Sequence, residues 1–349
     1  MDYPQHLKAF IALGRLFNRA AASPIDPQSP WLAGLLEALK RAEVQNGWYT
    51  QDNLRFALKQ WGEMLTETAL LSWINAYHKD MPTKVSSVGI IMAGNIPLVG
   101  FHDFLCVLLS GHKVIAKLST NDQVLFYYIR DFLIHEDPIL ADKITLTTER
   151  LTNFDAVIAT GSNNTSRYFE YYFSKYPHII RQHRNSVAVL SGQESQAQLK
   201  ALGDDIFQYF GLGCRSVSKL FVPNDYDFDT FFSAIFPWQS VLQHHKYCNN
   251  YDYNKAVYLM SEVTLLENGF LLLKEDGSQA SPIATLFFER YTSTATLQAR
   301  LSEDKNSIQC IVAEGFSEIE VPFGTAQTPT LSDYADNVDT MAFLAELRE

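Results

Sequence analysis

The sequence predicts an α/β fold in which parallel strands alternate with helices. From residue 85 onward, short apolar runs alternate with amphipathic stretches of helical length, with glycine, proline and polar residues between them. This alternation is typical of a parallel sheet covered on both faces, where ligands bind beyond the carboxyl ends of the strands. The chain has 349 residues, which is enough for two such cores.

The first 84 residues predict helices that pack on the domain after them. Apolar residues at three- and four-residue spacing indicate helices at residues 5–22, 30–42 and 50–77. A breaker at residues 23–27 (Ser-Pro-Ile-Asp-Pro) and the pair Asn46-Gly47 separate them.

The remaining chain predicts two α/β domains and a tail. We expect residues 85–192 to form a dinucleotide-binding domain, with strands at residues 88–93, 113–117, 144–148, 155–160 and 186–190 and helices at residues 98–110, 121–134 and from 163. We expect residues 193–325 to form the second domain, with a helix at residues 195–210 and strands at residues 220–222, 256–259, 283–288 and 308–312. The polar tail, residues 326–349, could be an oligomerisation arm or a frayed terminus.

Composition excludes several classes of function. A net charge of −11 argues against a nucleic-acid partner, because neutralising phosphates needs a basic surface. The four cysteines form neither a disulfide framework nor a paired metal motif, so we expect no metal and a reducing cytoplasm. We read no export signal and expect no transmembrane segment.

Cys214 is the candidate nucleophile. It lies in Phe-Gly-Leu-Gly-Cys-Arg-Ser, where Gly211 and Gly213 allow the backbone to approach a substrate carbonyl. A buried, inert cysteine is the alternative. The motifs upstream of it favour the nucleophile.

The first upstream motif is Met-Ala-Gly-Asn-Ile-Pro at the end of the first predicted strand of the sheet. Ala93 and Gly94 are small enough for a dinucleotide to lie against the strand end, and the amide of Asn95 could donate to a developing oxyanion. Capping of the next helix by Asn95 is the alternative.

Two further strand ends offer cofactor contacts. Lys117 closes a strand that continues into Ser119 and Thr120, and a lysine there could reach ribose hydroxyls or a phosphate. A strand followed by Gly161 and Ser162 runs into a predicted helix that includes Thr165, and backbone N–H groups at such a turn suit a pyrophosphate or a ribose.

These motifs, in this order, resemble those of the aldehyde dehydrogenase superfamily, and within it the LuxC-type long-chain acyl-CoA reductases. The resemblance covers about residues 85–324 and includes a late Pro-Phe-Gly at residues 322–324. It implies an aldehyde dehydrogenase-like fold with a Rossmann-like cofactor domain and a catalytic domain. It also implies that Cys214 is the nucleophile, Asn95 the oxyanion-hole amide and Lys117 the residue that contacts the cofactor ribose.

Two departures from the superfamily pattern refine the expected activity. Hydrolytic members carry a glutamate base between the Gly-Ser turn and the cysteine, whereas residues 171–193 contain no Asp or Glu. An acyl-enzyme at Cys214 should therefore persist for reduction. Three residues after Lys117, where NAD-preferring relatives often carry an acid, Thr120 leaves space for a 2′-phosphate and favours NADPH, although Asp122 is close in sequence.

The expected activity is NADPH-dependent reduction of a fatty acyl thioester to the aldehyde. The resemblance implies acyl-CoA or an acyl-protein as donor, an acyl-protein synthetase as a partner, and a homo-oligomer. An aldehyde-oxidising or acyl-phosphate-reducing enzyme and a catalytically silent nucleotide-binding subunit are the alternatives.

Overall fold

The computed structural model describes residues 6–22, 29–77 and 84–347, so the predicted breaker at residues 23–27 lies outside the described residues. The chain divides into two compact units. Unit 1 comprises Met1–Gln182 and Thr330–Glu349, and unit 2 comprises His183–Pro329. Within the described ranges, the structure contains no helix long and apolar enough to cross a membrane.

The described residues of unit 1 begin with four helices where the sequence predicts three. They are α1 (Leu7–Ala21), α2 (Pro30–Gln45), α3 (Gln51–Met64) and α4 (Glu67–Asn75). The predicted helix at residues 50–77 is interrupted because Thr66 starts a new helix, its side chain accepting the Ala69 N–H at 3.3 Å.

A five-stranded parallel sheet follows, with strand order β3-β2-β1-β4-β5. The strands are β1 (Ser87–Ile91), β2 (Lys113–Lys117), β3 (Ile144–Thr147), β4 (Ala156–Thr160) and β5 (His178–Arg181), and the helices between them are α5 (Phe101–Leu109), α6 (Val124–Glu136) and α7 (Asn163–Phe173). Apolar residues of β1 and β4 are buried, as expected of strands covered on both faces.

The N-terminal helices share one hydrophobic core with this sheet. Phe101, at the start of α5, packs against Phe10, Phe17 and Trp61, with ring centroids 6.4, 6.3 and 4.7 Å away. Helix α5 starts three residues later than predicted because Leu98 has φ +58°, which a right-handed helix cannot include.

The C-terminal residues of unit 1 pack into the same core. Leu331, Tyr334 and Met341 are buried, and Trp73 Nε1 donates to the Tyr334 hydroxyl at 2.9 Å. The chain ends in α12 (Thr340–Ala345). A frayed terminus would leave these side chains exposed, so that interpretation of the tail does not hold for residues 331–344. The oligomerisation-arm interpretation stays a prediction.

Unit 2 is built on a six-stranded sheet of order β11-β6-β7-β10-β9-β8, parallel except for the β8–β9 pair. The strands are β6 (Asn185–Val189), β7 (Val217–Pro223), β8 (Leu265–Glu267), β9 (Leu272–Glu275), β10 (Thr285–Tyr291) and β11 (Ile308–Val312), and the helices are α8 (Gln196–Phe207), α9 (Phe228–Ile235), α10 (His245–Met260) and α11 (Thr294–Glu303).

Two elements differ from the sequence prediction. The strand expected at residues 186–190 in the first domain is β6, which pairs with β7 and β11 of unit 2. The change of unit therefore falls after Gln182 rather than after residue 192. Residues 256–259, expected as a strand, lie inside α10, because four apolar residues are too few to separate a strand from a helix.

Candidate active site

The predicted cofactor residues lie together at one edge of the first sheet. β1 lies between β2 and β4, both parallel to it, with Ile91 opposite Lys117 and Ala159. The three carboxyl ends therefore reach the same edge, and the strand order reverses between β1 and β4, where open α/β sheets bind ligands. This edge carries Ala93, Gly94, Lys117, Ser119, Thr120, Gly161, Ser162 and Thr165.

Gly94 lies where the loops after β1 and β2 come into contact. A Cβ on Gly94 would lie 2.4 Å from Ser119 Oγ, so the loops after β1 and β2 touch through this glycine. Beside them, Lys117 is half-buried, and its carbonyl accepts the Met92 N–H at 3.0 Å. A narrow backbone surface next to a lysine fits a dinucleotide cofactor.

The turn after β4 forms the start of α7. Ser162 caps this helix, because its Oγ accepts the Thr165 N–H at 3.3 Å and lies 2.9 Å from Thr165 Oγ1. A Cβ on Gly161 would lie 3.0 Å from Thr165 Cβ. The turn is therefore compact, and its helix N-terminus suits an anionic group of the cofactor.

Side chains at the end of α2 and just after it brace both loops. Asn46 Nδ2 donates to the Gly94 carbonyl at 3.1 Å, and the Tyr49 hydroxyl donates to the Ile96 carbonyl at 2.9 Å. Gln45 Nε2 donates to the Thr120 carbonyl at 2.7 Å. These positioning contacts are not predicted from the sequence. The Asn46-Gly47 break in the helical pattern marks where they occur, but not which residues they contact.

Asp122 is a buried carboxylate beneath the same loops. It is 2% exposed, and its Oδ2 accepts the Leu98 N–H at 3.0 Å. Burial raises the pKa of Asp122 to about 7, although hydrogen bonds from the Leu98 N–H and the Tyr49 side chain lower it. The carboxyl group is therefore enclosed in the unit, and its hydrogen bond from the Leu98 N–H stabilises the left-handed turn at Leu98.

Asn95 lies at the exposed tip of the braced loop. The N-cap of α5 is Gly100, so the alternative in which Asn95 caps that helix is wrong. The bonds to the Gly94 and Ile96 carbonyls fix the backbone on either side of Asn95, at the strand edge that carries the predicted cofactor residues.

Cys214 lies in unit 2, three residues before β7. It is half-buried, and its carbonyl accepts the Ser186 Oγ–H at 3.0 Å, which ties it to the start of β6. The Ser216 N–H donates to the Gly213 carbonyl at 3.0 Å and closes a turn around the cysteine. The thiol is thus presented on a short loop held at both ends.

The residues before this loop have a strained backbone. Tyr209, Phe210 and Gly211 have successive φ values of +55°, +57° and +76°. The left-handed region costs a non-glycine residue about 1–2 kcal/mol. Both aromatic side chains are buried, and the Phe210 ring lies 4.3 Å from that of His244, so packing offsets the strain.

The other three thiols have different surroundings. Cys106 and Cys310 are buried, and burial together with the neighbouring Asp103 raises the pKa of Cys106 well above its ordinary value. Cys248 is half-buried on α10, where its Sγ donates to Asp252 at 3.8 Å. Cys214 and Cys248 are therefore the thiols that reagents could reach.

No cluster of three or more side chains suited to a metal ion occurs in residues 6–22, 29–77 and 84–347. His244 and His245, at the start of α10, stack their rings on each other with centroids 5.3 Å apart.

The fold is that of the aldehyde dehydrogenases. The structure is similar to HpcC from Thermus thermophilus (TM-score 0.63, 12% identity, 90% of this chain and 70% of that chain). It is also similar to an NAD-dependent aldehyde dehydrogenase from Sinorhizobium meliloti (TM-score 0.61, 15% identity, 91% and 72%). A third similar structure is the NAD⁺ complex of an aldehyde dehydrogenase from Bacillus cereus (TM-score 0.57, 13% identity, 88% and 75%).

The model of the LuxC acyl-CoA reductase family matches residues 37–235, more than half of the chain. The chain belongs to this family, and the resemblance inferred from its motifs is confirmed. No curated protein matches the chain.

Gly94→Ala tests the contact between the strand ends. The added methyl overlaps Ser119, so we expect the free energy of unfolding to fall by about 1–3 kcal/mol and dinucleotide binding to weaken. Gly277→Ala is the control, since nothing lies within 4 Å of a Cβ there. Urea unfolding and a fluorescence titration with NADPH measure both effects. Unchanged stability and affinity in Gly94→Ala would show that the two loops are not in contact.

Proposed function

We propose that this protein reduces a long-chain fatty acyl thioester to the aldehyde with NADPH, through a covalent acyl-cysteine at Cys214. The observation that carries the proposal is a half-buried thiol on a fixed loop in a chain of the LuxC acyl-CoA reductase family. The carboxyl ends of β1, β2 and β4, which meet at one edge of the unit 1 sheet, support the proposal of a dinucleotide cofactor.

In the first step the Cys214 thiolate attacks the thioester carbonyl. A new C–S bond forms, and the tetrahedral oxyanion collapses with release of the CoA thiolate. We assign stabilisation of that oxyanion to the Asn95 side-chain amide and a backbone N–H. The bracing of residues 94 and 96 supports this role, because an oxyanion donor is effective only when its position is fixed in advance.

NADPH, when bound at the unit 1 edge, supplies the hydride that reduces the acyl carbon and releases the aldehyde and the Cys214 thiolate. Lys117, Ser119 and Thr120 would hold the adenosine ribose. Ala93, Gly94, Gly161, Ser162 and Thr165 would surround the rest of the dinucleotide.

The missing carboxylates support reduction over hydrolysis. Residues 171–193 run through β5 and β6 and contain no Asp or Glu, so the base that would activate water is absent from that segment. A persistent acyl-enzyme also permits acyl transfer from a protein donor, so we extend the proposal to an acyl-protein synthetase as partner.

We also propose a homo-oligomer and a cytoplasmic location. Cys214 must stay reduced for this chemistry, which fits the cytoplasm.

Two observations support NADPH over NADH. Thr120 is exposed and uncharged, while the nearby Asp122 is 2% exposed and directed into the unit. A cavity of about 880 Å³ between α2 and α6 is lined by the cations Lys40 and Arg41 as well as by Glu37 and Asp131. Gln45, which also lines it, donates to the Thr120 carbonyl. The cations of this cavity would pair with the 2′-phosphate of the adenosine ribose.

Cys214→Ala should abolish NADPH oxidation in the presence of a long-chain acyl-CoA while leaving NADPH affinity within about twofold, because the thiol carries the covalent step. Cys248→Ala is the matched control, since its thiol is also half-buried, and it should keep wild-type turnover. Cofactor absorbance and a binding titration provide the two readouts.

The same assay separates the alternatives. Turnover with acyl phosphate but not acyl-CoA indicates the phosphate-reducing alternative, and net aldehyde oxidation indicates the dehydrogenase alternative. A silent nucleotide-binding subunit would bind NADPH without any turnover. Turnover that survives in Cys214→Ala contradicts the proposal.

Thr120→Glu should raise the KM for NADPH by roughly 10–100-fold, because a carboxylate beside the 2′-phosphate is repelled. The KM for NADH should change much less. Thr120→Gln is the control of equal size without charge, and it should stay close to wild type. An unchanged KM for NADPH in Thr120→Glu would place the 2′-phosphate elsewhere.

A further inference from the structure

Asp205 is a fully buried carboxylate that the proposed reaction does not use. It lies on α8 with 0% exposure, and it accepts the Gly324 N–H at 2.7 Å and the Ala326 N–H at 2.9 Å. Burial raises the pKa of Asp205 to about 7, while these two hydrogen bonds lower it and the charge of Asp204 raises it. Burying a carboxylate without hydrogen-bond donors costs free energy. The two backbone N–H groups that donate to Asp205 therefore indicate its role.

Asp205 holds residues 322–327 against α8. We call these residues the 322–327 segment. Gly324 has φ +82°, and a Cβ there would lie 2.9 Å from Ala201 Cβ. Ala326 has 0% exposure. The segment is therefore in contact with the helix along its backbone, at positions where larger side chains do not fit.

The other end of the 322–327 segment reaches the cysteine loop. Gln327 Nε2 donates to Ser216 Oγ at 3.1 Å, and both residues are buried. The Ser216 N–H in turn donates to the Gly213 carbonyl at 3.0 Å. Gly213 and Ser216 lie on either side of Cys214. Asp205 is therefore connected to the turn around the thiol by the backbone of the 322–327 segment and by the hydrogen bonds at its two ends.

We infer that Asp205 and Gln327 are positioning residues that fix the Cys214 thiol through the 322–327 segment. The inference rests on the proposed role of Cys214 as nucleophile. Loss of either link should leave the thiol present but badly placed, so turnover falls while the cofactor affinity of unit 1 does not change.

A double-mutant cycle with Gln327→Ala and Ser216→Ala tests the link to the cysteine loop. The readout is the rate of Cys214 alkylation by iodoacetamide, relative to Cys248 in the same sample, followed by peptide mass spectrometry. We expect each single variant to change this ratio by about 5–10-fold and the double variant to change it no further, because both remove one interaction. Ser216→Thr keeps the hydroxyl and should restore the wild-type ratio.

Asp205→Asn tests the anchor, with Asp204→Asn as the matched control on the same helix, where Asp204 accepts from Trp238 Nε1 at 3.2 Å. We expect kcat with acyl-CoA to fall about 10-fold in Asp205→Asn with the Kd for NADPH within twofold, and no such fall in Asp204→Asn. If Asp205→Asn does not fold, the Gln327–Ser216 cycle decides.

Additive effects in the cycle, or an unchanged alkylation ratio in Gln327→Ala, would overturn the inference. This outcome is separate from failure of the proposed function. Absence of acyl-CoA turnover in the wild-type protein would refute the proposed function, whereas the alkylation ratio measures the placement of the thiol without any substrate.

Discussion

The parallel pairing of β1 with β2 and β4 is the constraint on which the proposed cofactor site at the edge of the first sheet depends. Because these strands run in one direction, the loops after Ile91, Lys117 and Thr160 must leave the sheet on one side. A parallel strand needs a crossover helix before the next strand, and those helices bury the sheet on both faces. One arrangement of backbone therefore produces both the hydrophobic core and the site.

Loops at a sheet edge are normally the more mobile part of a fold, and here side chains from outside the sheet hold them. Asn46 and Tyr49 fix the carbonyls on either side of Asn95, and Gln45 fixes the loop at Thr120. The helical N-terminal segment thus contributes to the site without contributing a reacting group. In unit 2, Ser186 has the same function for Cys214, holding its carbonyl from a neighbouring strand.

Local signals explain what could be predicted from the sequence. A strand followed by Gly-Ser and a helix, or a strand ending in lysine, is encoded within ten residues, so the sequence predicts β2, β4 and α7. Contacts such as Tyr49 with Ile96 or Gln327 with Ser216 join residues 47 and 111 positions apart, and no local pattern encodes them. The strand at residues 185–189 was assigned to the wrong sheet for a related reason. Both sheets contain short buried parallel strands, and an apolar run in the sequence does not indicate which strands it pairs with.

The most direct test of the account is the fate of the acyl group on Cys214. The protein is mixed with a long-chain acyl-CoA without cofactor, and its intact mass is followed over time. We expect an adduct of the acyl mass, located on the Cys214 peptide, that persists in the absence of NADPH and is released as aldehyde when NADPH is added. Failure to form the adduct, or its decay to free fatty acid as fast as NADPH turnover proceeds, would refute the proposed function.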